Sequence, residues 1–513
     1  MAISWTIGGH SFKSPPRILC RAFWNSRKRW KATAVRLRQA VAQQQNEIRA
    51  FQQRERQLRH QLEEAHCEIQ NLRAQPVTPA IDQGPLLGHQ FSAAMIALCV
   101  TLSLRIGFRA VPDVLRLFAE TFGLPLKIPS RDVVRNWACR NGVAILREAT
   151  RADDWIWMVD HSVQLGKMFV LVVLGIRHKD LPENRPLERA DMTPLAVMPT
   201  SSRAKEEVER QLTGTAQHLG VPLAVLSDEA SELQEGVRSL ESLGFHGPHL
   251  HDVKHKIANV LKKMLTGDER FEAFSRKVGK TTAAIQQTEL EHLLPPRKKT
   301  KCRFMGFDRL IDWATMIEHH LDTPADSNDG KSSRLEEKLG WMREFKDDLC
   351  QWRECRALVG TTLTQAASHG VAAGSSVKLR RQLEDCTCTT PLARQLRNDL
   401  VTIFQDNEDR LIASGLGSHR LPCSTEVLES AFGSFKALQR THSTGTFTSL
   451  LAAFGCLFSE NTPEQIARRF ANTSNRDLQA WLSAANLTES TQARRTAAYA
   501  DAKPRKTAYS MAP

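Results

Sequence analysis

The segment "WIWMVDHSVQLGKMFVLVVLGI", Trp155 to Ile176, decides how the chain is read. Two apolar runs flank a short polar turn. Both runs are rich in Val, Ile, Phe, Leu and Trp, and short runs of this kind bounded by turn residues favour strands. "WIWMVD" and "MFVLVVLGI" are expected to pair as a hairpin across "HSVQLGK". The first run ends in Asp160, with His161 after it. An Asp at a strand end commonly starts a turn, so its meaning rests on the segments downstream.

From the hairpin onward, strand and helix alternate. "TPLAVMPT" reads as a third strand and "SRAKEEVERQLTGTAQHLG" as an amphipathic helix. "PLAVLSD" is a buried strand ending in Asp228, a residue that also suits the cap of the helix after it. A short strand, "HLHDV", precedes the helix "KHKIANVLKKML". A hairpin meander followed by strand–helix–strand is the order of an RNase H-like fold. In an open sheet, neighbouring strand ends meet on one edge, which would bring Asp160 and Asp228 together. Close carboxylates repel unless a cation lies between them, and hard Mg²⁺ or Mn²⁺ suits oxygen ligands. Two such ions about 4 Å apart activate water and stabilise the leaving oxygen of a phosphodiester. Glu429, on the helix "TEVLESAFGSFK", offers the third carboxylate. At about 100° per residue, Leu428, Ala431, Phe432 and Phe435 form an apolar stripe. Glu429 falls on its border and Glu426 faces solvent. Lys436 lies above Glu429, placed to hold the phosphate of a scissile strand.

The rest of the 513 residues divides by composition into segments, and the length implies two to four domains. Residues 1–33 form a basic N-terminal segment, of which 1–28 read as irregular. From 34 to 73 a heptad appears, with Ala34, Val41, Ile48, Glu55, Leu62 and Ile69 at a, and Leu37, Gln44, Phe51, Leu58, Ala65 and Leu72 at d, ten of the twelve apolar. The period predicts a coiled coil that pairs protomers, or else a long helix folded onto its own protein. Residues 74–85 form a Pro/Gly linker. Residues 86–150 read as helices, the last capped by Ser130, with Arg131, Arg135 and Arg140 projecting from it. That fits a helix-turn-helix-like DNA-binding domain, or a small bundle with a solvated basic face. Residues 151–260 are the first part of the α/β core, 261–420 an all-α insertion, and 421–487 the completion of the core. The insertion holds the basic loop "PPRKKTKCR", with Arg297, Lys298, Lys299 and Lys301. The tail, 488–513, is polar and expected to be disordered. A net charge of +14 favours an anionic partner such as nucleic acid. The 11 cysteines include no CxxC pair and read as reduced thiols. No apolar run approaches a membrane span, and the first residues lack the apolar core of a signal peptide. A cytoplasmic protein, nucleoid-associated if bacterial, is expected.

Over about residues 86–485 the chain resembles a DDE transposase. "MVDHS" resembles the motif of the first catalytic Asp and "VLSDEA" that of the second. "HDVKH" separates Asp252 and His255 by two residues, like the C/D(2)H signature of hAT- and Mutator-like transposases and some insertion-sequence enzymes. "ESAFGSFK" puts Lys436 seven positions after Glu429, like the Glu–six–Lys spacing of many insertion-sequence transposases. The long gap between Asp228 and Glu429 is similar to the helical insertion such enzymes carry. The resemblance implies an α/β RNase H-like core interrupted by a large all-α insertion. It implies catalysis by Asp160, Asp228 and Glu429 on Mg²⁺ or Mn²⁺, and cleavage and strand transfer on double-stranded DNA, both transposon ends and target. Asp252 and His255 are expected to brace the site edge. The arginines and lysines named above are expected to grip DNA, in a homo-oligomer held by the coiled coil. Pro422 and Thr425 stand where insertion-sequence enzymes often carry Tyr and Arg, and no BED-type zinc finger precedes the core. His246, His249 and His251 crowd near His255 without a nearby cysteine, so zinc is not expected. The alternatives are a domesticated, non-catalytic DNA-binding protein and an RNase H-like nuclease.

Overall fold

The computed structural model describes residues 5–7, 9–12, 16–74, 84–163, 168–296, 304–322, 330–440, 449–488 and 499. Most of the expected linker, the loop carrying Arg297, Lys298, Lys299 and Lys301, and nearly all of the expected disordered tail lie outside the described residues. Two compact units divide the chain, Met1–Asp82 and Gln83–Pro513.

In the first unit, β1 (Trp5–Ile7) and β2 (His10–Phe12) pair antiparallel. The helix α1 then runs unbroken from Pro16 to Ala74. This corrects the expectation of an irregular segment up to residue 28. The physical reason is local: proline is well tolerated in the first helical turn, and neither Gly nor Pro occurs from Arg17 to Ala74. At 1.5 Å per residue the helix is about 90 Å long.

The second unit is mostly helical around one small mixed sheet. Helices α2 (Ala93–Ile106), α3 (Ala110–Phe122) and α4 (Arg131–Glu148) come first. The sheet contains β3 (Trp155–Val163), β4 (Phe169–Arg177), β5 (Thr193–Thr200), β6 (Ala224–Ser227) and β7 (His249–His251). Its order is β5-β4-β3-β6-β7, with the first three strands antiparallel and β6 and β7 added parallel to β3. The two apolar runs of the opening segment do form a hairpin. The first strand continues past Asp160 to Val163, so Asp160 sits within it. Side chains alternate across the sheet. Trp155, Trp157 and Val159 pack on α5 (Lys205–Leu219) and α6 (Ser231–Ser239). Ile156 and Met158 face the larger helical body, and Asp160, two further on, shares their face.

That body contains α7 (Val253–Leu265), α8 (Glu269–Ile285), α9 (Phe307–Asp322), α10 (Gly330–Leu339), α11 (Lys346–His369), α12 (Ser375–Glu384) and α13 (Pro391–Ala413). It ends with α14 (Glu426–Arg440), a 3₁₀ segment (Ser449–Phe458), α15 (Pro463–Asn472) and α16 (Asn475–Ala484). Asn407 on α13 accepts from the His251 N–H and donates to the His251 carbonyl, both at 2.9 Å, which pins the helical body to the sheet's edge strand.

The expected recognition helix is a core helix instead. On α4, residues 137–145 are buried, packed on the 3₁₀ segment, α15, α16 and α2. Small residues permit this approach, since a Cβ on Gly142 would lie 2.0 Å from the Ala452 carbonyl oxygen. Gly142→Ala therefore forces backbone apart and should destabilise the protein by about 1–3 kcal/mol or more. A lowered denaturation midpoint with unchanged slope checks it; an unshifted midpoint would show that the packing yields freely.

Candidate active site

The strand register sets the first two carboxylates side by side. Val159 lies opposite Ser227 on the parallel neighbour, so Asp160 follows within β3 beside Asp228, the first residue past the end of β6. Asp160 Oδ1 accepts from the His161 N–H at 2.6 Å, and Asp228 Oδ1 from the Ala230 N–H at 3.0 Å. Asp228 thus shapes the turn before α6, whose N-cap is Ala230.

The third carboxylate is brought in by contacts at the start of α7. The Val253 N–H donates to the Cys423 carbonyl at 3.0 Å, fixing the chain just before α14. Thr425 donates its hydroxyl to Asp252 Oδ2. On α14, Val427, Leu428, Ala431, Phe432, Phe435 and Leu438 are buried. Glu429 stands at the border of that face with its side chain 30% exposed, while that of Glu426 is 61% exposed. Lys436 is exposed, its Nζ 6.0 Å from the Phe432 ring centroid.

Between these groups lie Asp252 and His255. Asp252 is 1% exposed and fully engaged. Its Oδ1 accepts from the Lys254 N–H at 2.9 Å, capping α7, and its Oδ2 pairs with His255 Nδ1 at 2.7 Å as well as with Thr425. His255 Nε2 is 3.9 Å from Glu429 Oε1. Burial alone would lower the His255 pKa, but the Asp252 hydrogen bond, Glu429 and Asp160 carry it up to about 9. These neighbours favour its imidazolium form, which Asp252 holds by the hydrogen bond. The Asp160 carboxyl moves the other way, up to about 7, first by burial and then by the Asp228 charge, with Glu429 adding to the push and His255 opposing it. Burial also raises Asp228. Three carboxylates therefore share one field that one imidazolium only partly offsets.

One group of side chains among the described residues could hold a cation. Asp252, His255 and Glu429 present potential ligand atoms all within 4.8 Å of one another. Asp252 and His255 are, however, spent on each other. With those two so engaged, Glu429 is the carboxylate of this group left open to a cation, and an oxygen donor of this kind suits Mg²⁺ or Mn²⁺.

Reading the sequence missed Lys254. Its Nζ reaches Glu426 Oε1 at 2.9 Å and Glu429 Oε2 at 3.2 Å, and its side chain is only 16% exposed. Its place inside "HDVKH" was the available signal. Thr425 was noted only as a departure from a motif, and nothing local announces its bond to Asp252. Of the arginines singled out on α4, Arg131 is exposed and lies 3.6 Å from Asp132. Arg135 donates to the Ser449 hydroxyl. Arg140 does not project: it is 7% exposed and donates to the Thr473 and Phe470 carbonyls at 2.5 and 2.6 Å. A guanidinium buried against helix-end carbonyls is structural, which withdraws Arg140 from the DNA-contacting set. His161 is on the opposite face from Asp160, where burial lowers its pKa to about 4.

No protein-family profile matches the chain, and none of the curated proteins matches it in sequence. Among solved structures, the Drosophila P element transposase strand transfer complex is similar over 80% of this chain and 98% of that one, at 12% identity and a TM-score of 0.38. A likeness this loose leaves the reading to the site's own geometry. No helix among the described residues is long and apolar enough to cross a membrane.

Proposed function

We propose that this protein is a DDE-type DNA transposase that cleaves and joins DNA strands with an RNase H-like core. The observation that carries the reading is the juxtaposition of Asp160 and Asp228 at the same end of adjacent parallel strands, with His255 and Glu429 near enough to act on the Asp160 charge. The sheet order supports it: the third, second, first, fourth and fifth strands lie in sequence, with the first three antiparallel. So does the net charge of +14, which suits a polyanionic substrate.

In this reading Asp160, Asp228 and Glu429 hold Mg²⁺ or Mn²⁺. Bound there, such ions supply activation of the attacking oxygen and stabilisation of the leaving oxygen in an in-line phosphodiester displacement. Asp252 orients His255 and keeps it protonated, and His255 in turn favours the ionised form of both aspartates. Lys254 holds Glu429 at the edge of the packed face. Arg131 and Lys436, both exposed, contact phosphates of double-stranded DNA at transposon ends and target. The test is Mg²⁺-dependent nicking of a duplex carrying candidate transposon ends taken from the DNA on either side of the coding sequence. DNA binding without nicking would replace this reading with that of a non-catalytic DNA-binding protein.

The heptad of α1 makes the active form a homo-oligomer. Val41, Ile48, Leu58 and Leu62 on its seam are each more than half exposed in the single chain, as expected of positions that need a partner helix. A protein starting at Gly84 should show a smaller assembly mass by light scattering. The full-length stoichiometry persisting after truncation would place the association elsewhere.

A further inference from the structure

We infer that the first third of α1 is a DNA-gripping arm, continuous with the coiled coil. From Arg17 to Arg38 the helix carries eight arginines and lysines, and no Asp or Glu occurs before Glu47. All eight cations are exposed. With no carboxylate inside the stretch to pair them, their charges repel one another along the helix. Salt screens that repulsion in part, and a bound polyanion relieves it further.

The helix continuity decides how they are presented. Carrying the heptad upstream of Ala34 in the same phase puts Cys20 and Arg27 at a, and Phe23 and Trp30 at d. Phe23 is 57% and Trp30 73% exposed in the single chain. The seam thus runs on through the basic stretch, and its aromatic residues are used between helices. Seven of the eight cations lie off the seam, on the outside of the pair. Phosphodiester duplex is the polyanion this suits. The stretch is about 32 Å long at 1.5 Å per residue, close to the roughly 34 Å of one DNA turn. A basic helix running unbroken out of a coiled coil is also the way bZIP proteins reach DNA. An anionic membrane is the competing occupant, but it would need the apolar face that the seam uses.

The experiment uses the full-length protein and a random-sequence duplex without Mg²⁺, so cleavage is not read and the result is independent of the metal site. Arg27→Gln, Lys28→Gln, Arg29→Gln and Lys31→Gln are combined; Gln keeps helix propensity. Removing one phosphate-neutralising cation reduces the slope of log K against log salt by about 0.9, so the quadruple variant should lose about 3–4 of slope. Affinity near physiological salt should fall at least tenfold. A second variant, Lys28→Gln with Arg29→Gln, changes only off-seam positions and should lose about half as much slope with unchanged assembly mass. Neutralising Arg54, Arg56 and Arg59, which neighbour Glu55 further along α1, should leave the slope nearly unchanged. An unaltered slope in the off-seam variant overturns the inference. So does loss of sedimentation with phosphatidylserine vesicles while DNA binding persists, which would assign the arm to a membrane.

Discussion

Asp160→Asn and Asp228→Asn each abolish Mg²⁺-dependent nicking and leave the DNA gel shift in place. Asn keeps the shape of the side chain and removes its charge, and charge is what holds a hard cation. A fall of about 10³-fold or more is expected, equivalent to about 4 kcal/mol of barrier. DNA affinity is set mainly by Lys and Arg contacts to phosphate, so the shifted band should persist. A second readout needs no activity. Asp160 has a raised pKa in the folded chain, so folding binds a proton that the unfolded chain has released. Stability contributed by this group is therefore lost as pH rises from the ordinary carboxylate range to about 7. Without metal at pH 8, Asp160→Asn should melt no lower than the wild type. Mg²⁺ should raise the wild-type melting temperature and leave the variant's unchanged. Mg²⁺-dependent nicking in either variant would sink the assignment.

Glu429→Gln removes cleavage to the same extent, while Glu426→Gln retains most of it. The two glutamates are one helical turn apart and both touch Lys254. They differ in what else they reach. Glu429 lies 3.9 Å from His255 and adds to the field on Asp160, whereas Glu426 is mostly in solvent. Losing Glu426 costs one exposed ion pair, worth about 0–1 kcal/mol, and Lys254 keeps Glu429 as its partner. Lys436→Ala should weaken binding to transposon ends without touching the carboxylates. An inactive Glu426→Gln beside an active Glu429→Gln would transfer the third position to Glu426.

Features that depend on neighbours along the chain were legible in the amino-acid sequence. Alternating apolar runs from Trp155 to Ile176 form the hairpin, "TPLAVMPT" forms β5, and the last four residues of "PLAVLS" form β6. The phase of α14 put Glu429 at the border of the buried stripe and Glu426 in solvent, because 3.6 residues per turn is a local rule. Absence of helix breakers made α1 one helix, although its basic first part was read as irregular. Charge density was mistaken there for lack of structure. Relations between segments distant in sequence emerged only from the folded arrangement. Arg140 and Arg131 are chemically alike and nine residues apart, yet one is buried against Thr473 and Phe470 and the other is exposed. No local pattern encodes which face of α4 the 3₁₀ segment will cover. Lys254 and Thr425 become site residues only once Val253 bonds to Cys423 and draws α14 against α7. Periodicity reports how one element divides between core and solvent. The carboxylate cluster depends on which elements share an edge, and that is set by packing across the whole helical body.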